Sequence, residues 1–160
     1  WRSSSRRMEI EERPAGPWFW EGNELLDANR NLVAAVRSDV IFFGSERLLV
    51  ESEPGPIQFR ARATTGDGRV FTLAQNGFTV GTLHADCAGR AYVLRRTSVW
   101  RKERNIYDAA GGVVARVRPL ISGRVELHAG PTYDDLPPID AVFLSWGCVL
   151  VDSPVRRPRV

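Results

Sequence analysis

Residues Ala141 to Val151 read Ala-Val-Phe-Leu-Ser-Trp-Gly-Cys-Val-Leu-Val, and a helix wound from them is apolar on nearly every face. Only Ser145 and Gly147 interrupt it. A helix of this kind has no face for water, so the rest of the chain must surround it. The run is well short of the ~20 residues that a membrane span needs, so no transmembrane segment is expected. Just upstream, Asp134 and Asp135 can cap a helix start, and Pro137 and Pro138 suit its first turn. Asp140 lies where the helix dipole favours a negative charge. Val149, Leu150 and Val151 are good β formers and keep a strand reading open, but length and capping favour the helix.

The preceding sequence has the texture of short strands. Candidates are Glu24–Leu26, Leu32–Arg37, Arg47–Glu51, Ile57–Ala63, Arg69–Ala74, Phe78–Ala85, Arg90–Arg96, Val99–Tyr107, Val113–Val117 and Arg124–His128. They are rich in Val, Phe, Tyr and Thr, and several alternate apolar with polar residues, which puts one face on a core and the other in water. Three connections share one chemistry: Asp27 to Asn31, Asp86 to Gly89 and Asp108 to Gly112. In each, the Asp can accept hydrogen bonds from backbone donors just ahead of it, and a Gly or Asn can supply positive φ where the chain reverses. Thr65-Gly-Asp-Gly68 is a fourth turn. Connections this short favour a meander of neighbouring antiparallel strands over parallel βαβ units. About ten strands and one helix without a polar face form a consistent pair. The expected fold is mostly β (α+β): a closed antiparallel β-barrel of short hairpin-linked strands around one apolar C-terminal helix, with no open strand edge.

A length of 160 residues fits one domain, and 43% apolar with 26% charged residues is the balance of an ordinary globular protein. The expected organisation is a flexible N-terminal segment over 1–16, a single domain over 17–152, and a flexible Arg/Pro-rich tail over 153–160. The polar, arginine-rich start gives no signal peptide, and a first residue of Trp points to a fragment or a processed chain. Trp18, Phe19 and Trp20 can pack as a lid over one barrel mouth or stand exposed at an interface. Cys87 and Cys148 are too few and too far apart in sequence for a disulfide framework or a zinc site, which makes a reduced, cytoplasmic setting the default.

Three blocks carry a resemblance: Glu24 to Val33, Gly89 to Arg96 followed by Trp100, and Asn105 to Val117 with the apolar helix after it. In this order they resemble the tubby C-terminal-like superfamily, which includes tubby domains, phospholipid scramblases and LURP-one-related proteins. The resemblance spans most of residues 20–152. It implies a closed barrel threaded by a hydrophobic helix but not one function: tubby domains bind phosphoinositide headgroups, scramblases are membrane-associated, and many bacterial relatives have no known role. It carries over no ligand residues, because the lipid-contacting motif of tubby has no match here.

Motifs for catalysis are missing. No Gly-x-Ser-x-Gly elbow occurs, and the glycine pairs at Gly66/Gly68 and Gly111/Gly112 fit no phosphate-binding loop. His84 with Asp86 and Cys87, or His128 with Glu126, could each offer two metal ligands, but ordinary strand or turn histidines explain both groups. Asp134 and Asp135 could bind calcium or share a proton, but a helix cap explains them without further assumption. No enzyme activity, cofactor or metal is therefore expected.

The cations are more informative. Lys102 is the only lysine, and every other strong base is arginine. Codon bias in a GC-rich bacterial genome explains this, and so does selection for bidentate oxyanion recognition. A net charge of +3 is too small to imply nucleic-acid binding. The candidate anion site is Lys102, Arg104, Arg116 and Arg118, with Arg95 and Arg96 nearby. If Tyr107 faces Val113, Arg104 lies opposite Arg116 and Lys102 opposite Arg118, a grid that an anion could bridge. A slip of one residue brings Glu103 to Arg116 and leaves a surface salt bridge. The expected partner is an anionic phospholipid headgroup or another phosphate-bearing ligand at a membrane surface. The alternative is a structural or protein-interaction domain with a protein partner and no small-molecule ligand, drawn from the aromatic entry segment and the Arg/Pro-rich tail.

Overall fold

The structure, a computed structural model, describes residues 17–53, 58–77, 80–98 and 100–152. The two terminal segments expected to be flexible lie outside the described residues, as do the expected strand starts at Ile57, Phe78 and Val99.

Twelve strands form a meander that closes on itself. They are β1 Trp18–Glu21, β2 Glu24–Leu26, β3 Leu32–Arg37, β4 Val40–Phe43, β5 Glu46–Glu53, β6 Arg60–Thr65, β7 Val70–Gln75, β8 Thr82–Cys87, β9 Arg90–Arg96, β10 Arg104–Asp108, β11 Val113–Pro119 and β12 Val125–Ala129. Every neighbour is antiparallel, and β1 closes the ring by pairing with both β2 and β12. Closure removes both edges of the sheet. A 3-10 turn at Tyr133–Asp135 then leads into helix α1, Pro138–Asp152.

The helix is the core. Every residue from Asp140 to Asp152 is buried. Its contacts go out in several directions at once. Trp146 stacks against Trp20 of β1, with ring centroids 4.8 Å apart, and Phe143 meets Phe71 of β7 at 5.6 Å. Gly147 lets the helix approach β7, since a Cβ there would sit 2.2 Å from Leu73 Cδ2. The one hydroxyl in the apolar run is also paired: Ser145 accepts a hydrogen bond from Trp20 Nε1 at 2.8 Å and donates to the Val142 carbonyl at 3.2 Å. A buried hydroxyl without partners would carry a desolvation penalty of ~1–3 kcal/mol.

The turns follow their expected chemistry. Asp27 Oδ1 accepts from the amides of Asn29 and Asn31, Asp86 Oδ1 from Gly89, and Asp108 Oδ1 from Ala110 and Gly112. The left-handed residue of the first turn is Arg30, at φ 66°, rather than an Asn.

Four details differ from expectation. Trp18–Glu21 is a stave of the barrel, not a lid, and Val40–Phe43 is a strand with no counterpart among the expected ones. Asp134 and Asp135 lie in the separate 3-10 turn, and the helix begins at Pro138 with Asp140 in its first turn. Cys87 ends β8 and is buried rather than held in a turn.

Candidate functional site

Strand β9 places an arginine at each end of the helix. Arg90 and Arg96 are six residues apart, which spans ~20 Å in a strand. Asp140 and Asp152 are twelve apart in α1, which spans ~18 Å. The two lengths match, and the helix runs alongside β9 with a carboxylate for each arginine.

At the start of the helix, Arg90 grips Asp140 with two hydrogen bonds of 2.7 Å, from Nε to Oδ2 and from Nη2 to Oδ1. Tyr92 adds a third from its hydroxyl to Oδ2 at 2.6 Å. Asp140 is fully buried and stands in the first helical turn, so the helix dipole also favours its charge. The hydrogen bond to Asp140 holds the Arg90 guanidinium above its usual pKa.

At the other end, the Asp152 carboxylate lies between two arginines. Arg104 of β10 donates from Nε to Oδ2 and from Nη2 to Oδ1, both at 2.9 Å, and Arg96 donates from Nη2 to Oδ1 at 2.9 Å. Lys102 Nζ reaches the Asp152 carbonyl at 3.1 Å and satisfies one of the free acceptors at the helix end. Arg104 is 0% exposed. Burial is the strongest influence and opposes its charge, yet the bonds to Asp152 and the fields of Cys148 and Asp152 together hold its pKa above the ordinary value. A carboxylate at a helix C-terminus opposes the dipole, and the three cations offset that repulsion.

The hairpin register explains why these cations do not form a grid. Tyr107 does face Val113, but the ladder shifts between Ile106 and Tyr107, so Arg104 lies opposite Val117 and Asn105 opposite Arg116. On its other side Arg104 faces Arg96 directly. The anion that bridges this like-charged pair is Asp152 of the chain itself. Arg116 is exposed and forms an ion pair with Glu103 at 3.2 Å, a diagonal contact, since Arg116 stands opposite Asn105 and not opposite Glu103 as the slipped register would have it.

The six candidate cations thus separate into two groups. Lys102, Arg96 and Arg104 gather at the helix end. Arg95, Arg116 and Arg118 are exposed on the outer wall of β9 and β11. Arg95 lies over the Tyr107 ring at 5.7 Å, and neither it nor Arg118 has a carboxylate partner among the described residues. Arg101, in the connection between β9 and β10, is exposed and equally without such a partner. Of the histidines, His128 Nε2 meets Glu126 Oε1 at 2.9 Å and His84 is exposed on β8. Among the described residues no group of three metal-ligating side chains gathers. Asp140, Asp152, Arg90 and Tyr92 hold the two helix ends, a pairing that sequence reasoning did not assign. Their signal was a carboxylate at each end of the apolar run and an arginine at each end of β9.

Three buried groups predict an alkaline limit to stability. Burial pushes the Cys148 thiol up to about 12, against the opposing charge of Arg104. Burial likewise raises the Cys87 thiol, and burial plus the Asp140 carboxylate raises the Tyr92 hydroxyl. An unfolded chain releases these protons near 9 for the thiols and near 10 for the phenol. Above pH ~9 the unfolded state therefore binds fewer protons than the native state, and stability falls as pH rises. Each fully titrating group contributes a slope of about 1.4 kcal/mol per pH unit. Urea midpoints should hold constant from pH 7 to 8 and drop steeply between pH 9.5 and 11, all figures being about these values. The double variant Cys87→Ala/Cys148→Ala should show a shallower drop. An equal slope in both proteins would contradict the assignment.

No helix among the described residues is long and apolar enough to cross a membrane. In comparisons with known proteins, no family model matches the chain, and no curated protein and no solved structure shows significant similarity to it.

Proposed function

We propose that this chain is a tubby-like, non-enzymatic binding domain that holds anionic lipid headgroups, or other phosphate-bearing ligands, at the cytoplasmic surface of a bacterial membrane. The observation that carries the reading is the set of exposed guanidiniums at Arg95, Arg101 and Arg118. They occupy one quarter of the barrel wall and its adjoining loop, and none has a carboxylate partner among the described residues. Guanidinium forks match phosphate oxygens in bidentate fashion. Exposed arginines are already hydrated and ready for a ligand, whereas Arg96 and Arg104 are committed to Asp152. A closed barrel around an apolar helix is also the architecture that a tubby-like domain requires.

The test is sedimentation with phosphoinositide-containing vesicles at moderate salt. Wild type should pellet, and Arg95→Glu/Arg118→Glu should stay in solution at an unchanged melting temperature. Added salt should weaken binding, because the charges are exposed. Competition by free inorganic phosphate separates a simple phosphate ligand from a lipid headgroup. Equal pelleting of the two proteins, or none by either, contradicts the reading. Arg104 is not a usable position for this test, since its reversal would break the helix anchor.

A further inference from the structure

We infer that the barrel rim at which α1 ends is a membrane-docking edge, with Trp100 and Ile121 entering the interfacial layer of an anionic bilayer above the arginines. This rests on the headgroup reading and adds to it an orientation and two apolar anchors.

The meander fixes which loops share a rim. Arg104, at the start of β10, pairs with Val117 near the end of β11 and with Arg96 at the end of β9. Residues 97–98 and 100–103, between β9 and β10, and the turn over 120–124 therefore lie at the same end of the barrel. That end also holds Asp152, the last residue of α1, against Arg96 and Arg104. Two strand spacings separate the two loops, about 10 Å at ~4.8 Å each.

Each loop carries a large apolar residue at its tip. Trp100 is 91% exposed, and Ile121 is fully exposed. These are the two most exposed large hydrophobics among the described residues. One exposed apolar side chain needs no explanation, but two on neighbouring tips of one rim do. Trp favours the membrane interface, where its ring sits at headgroup level. The Trp100 amide donates to Ser98 Oγ at 3.3 Å, which helps to shape the tip.

The charges agree with this orientation. Arg101 adjoins Trp100, and Arg118 and Arg95 stand below the two tips on β11 and β9. The nearby carboxylates already have partners: Glu103 has Arg116, Glu21 has Arg30 and Arg124, and Glu126, opposite Arg118 in the ladder, has His128. The opposite rim carries Asp67, Asp86, Asp108, Asp134 and Asp135 beside Arg30, Arg47 and Arg69, an acidic excess that disfavours an anionic surface. Apolar anchors backed by cations are the combination that holds a protein on anionic lipid without spanning it.

The experiment compares wild type, Trp100→Ala/Ile121→Ser and Arg95→Glu/Arg118→Glu on vesicles of phosphatidylcholine with about 30% phosphatidylserine. The tip variant should lose about tenfold or more in affinity at an unchanged melting temperature, since both side chains are outside the core. Brominated lipid should quench wild-type fluorescence more than that of Trp100→Phe. Undiminished binding by the tip variant, or equal quenching, overturns the docking edge while the headgroup reading stands. Failure of wild type to bind overturns both. Self-association of wild type in light scattering, lost in the tip variant and without vesicle binding, would assign the tips to a second copy of the chain instead.

Discussion

Replacing Asp152 with alanine should destabilise the protein by about 3–5 kcal/mol. Arg104 is fully buried and makes both of its short bonds to that carboxylate. Without it, Arg104 and Arg96 face each other across β9 and β10 with no countercharge. An uncompensated buried charge is the expensive outcome, because neither water nor a partner solvates it. Asp152→Asn keeps the shape and one acceptor oxygen, so its loss should be smaller. Replacing both partners, as in Arg104→Met/Asp152→Leu, should recover most of the stability, because a buried pair's attraction largely offsets its own desolvation. Urea denaturation at neutral pH reads all three. An Asp152→Ala midpoint equal to wild type would mean that Arg104 reaches water and that the clamp at the helix end is incidental.

The second large effect is expected at Trp146. Its indole stacks on Trp20 at 4.8 Å, beside the hydrogen bond from Trp20 to Ser145. Trp146→Ala would leave a cavity inside a hydrogen-bonded wall that cannot collapse around it. Aromatic truncations in such cores cost ~3–5 kcal/mol, against a typical total stability of ~5–15 kcal/mol. Trp146→Phe, which keeps a ring, should lose less. An unchanged thermal midpoint in the alanine variant would refute the buried helix.

What could be read from the sequence depended on whether the cause was local. The helix was legible because an apolar surface on all sides has one physical remedy, enclosure. The aspartate turns were legible because Asp27, Asp86 and Asp108 bond amides within four residues of themselves. Strands β1 and β4 were hidden for a shared reason. Their outward aromatic residues lie beneath arginines: Phe19 under Arg30 and Arg124, and Phe42 under Arg47. Those guanidiniums come from other strands or turns, so the inward-outward alternation that marks a strand is lost in the sequence. The anion site was half legible. A cluster of cations needing an anion was visible, but the bulge in β11 that sets Arg104 opposite Val117 rather than Arg116 was not. Nor was its partner, which lies 48 residues away at the far end of the helix. The carboxylate that answers Arg96 and Arg104 therefore belongs to the protein itself, while Arg95 and Arg118 stay exposed on the wall.

Native-state hydrogen exchange of the α1 amides tests the central claim, a barrel built around its own helix, most directly. If α1 is the axis of a closed wall, the amides from Val142 to Leu150 can reach water only when the whole barrel opens. They should exchange as slowly as the slowest amides of β7 and β9, and slow in step with them as denaturant is withdrawn. Helix amides that exchange well before those strands, through an opening that leaves the sheet intact, would contradict it.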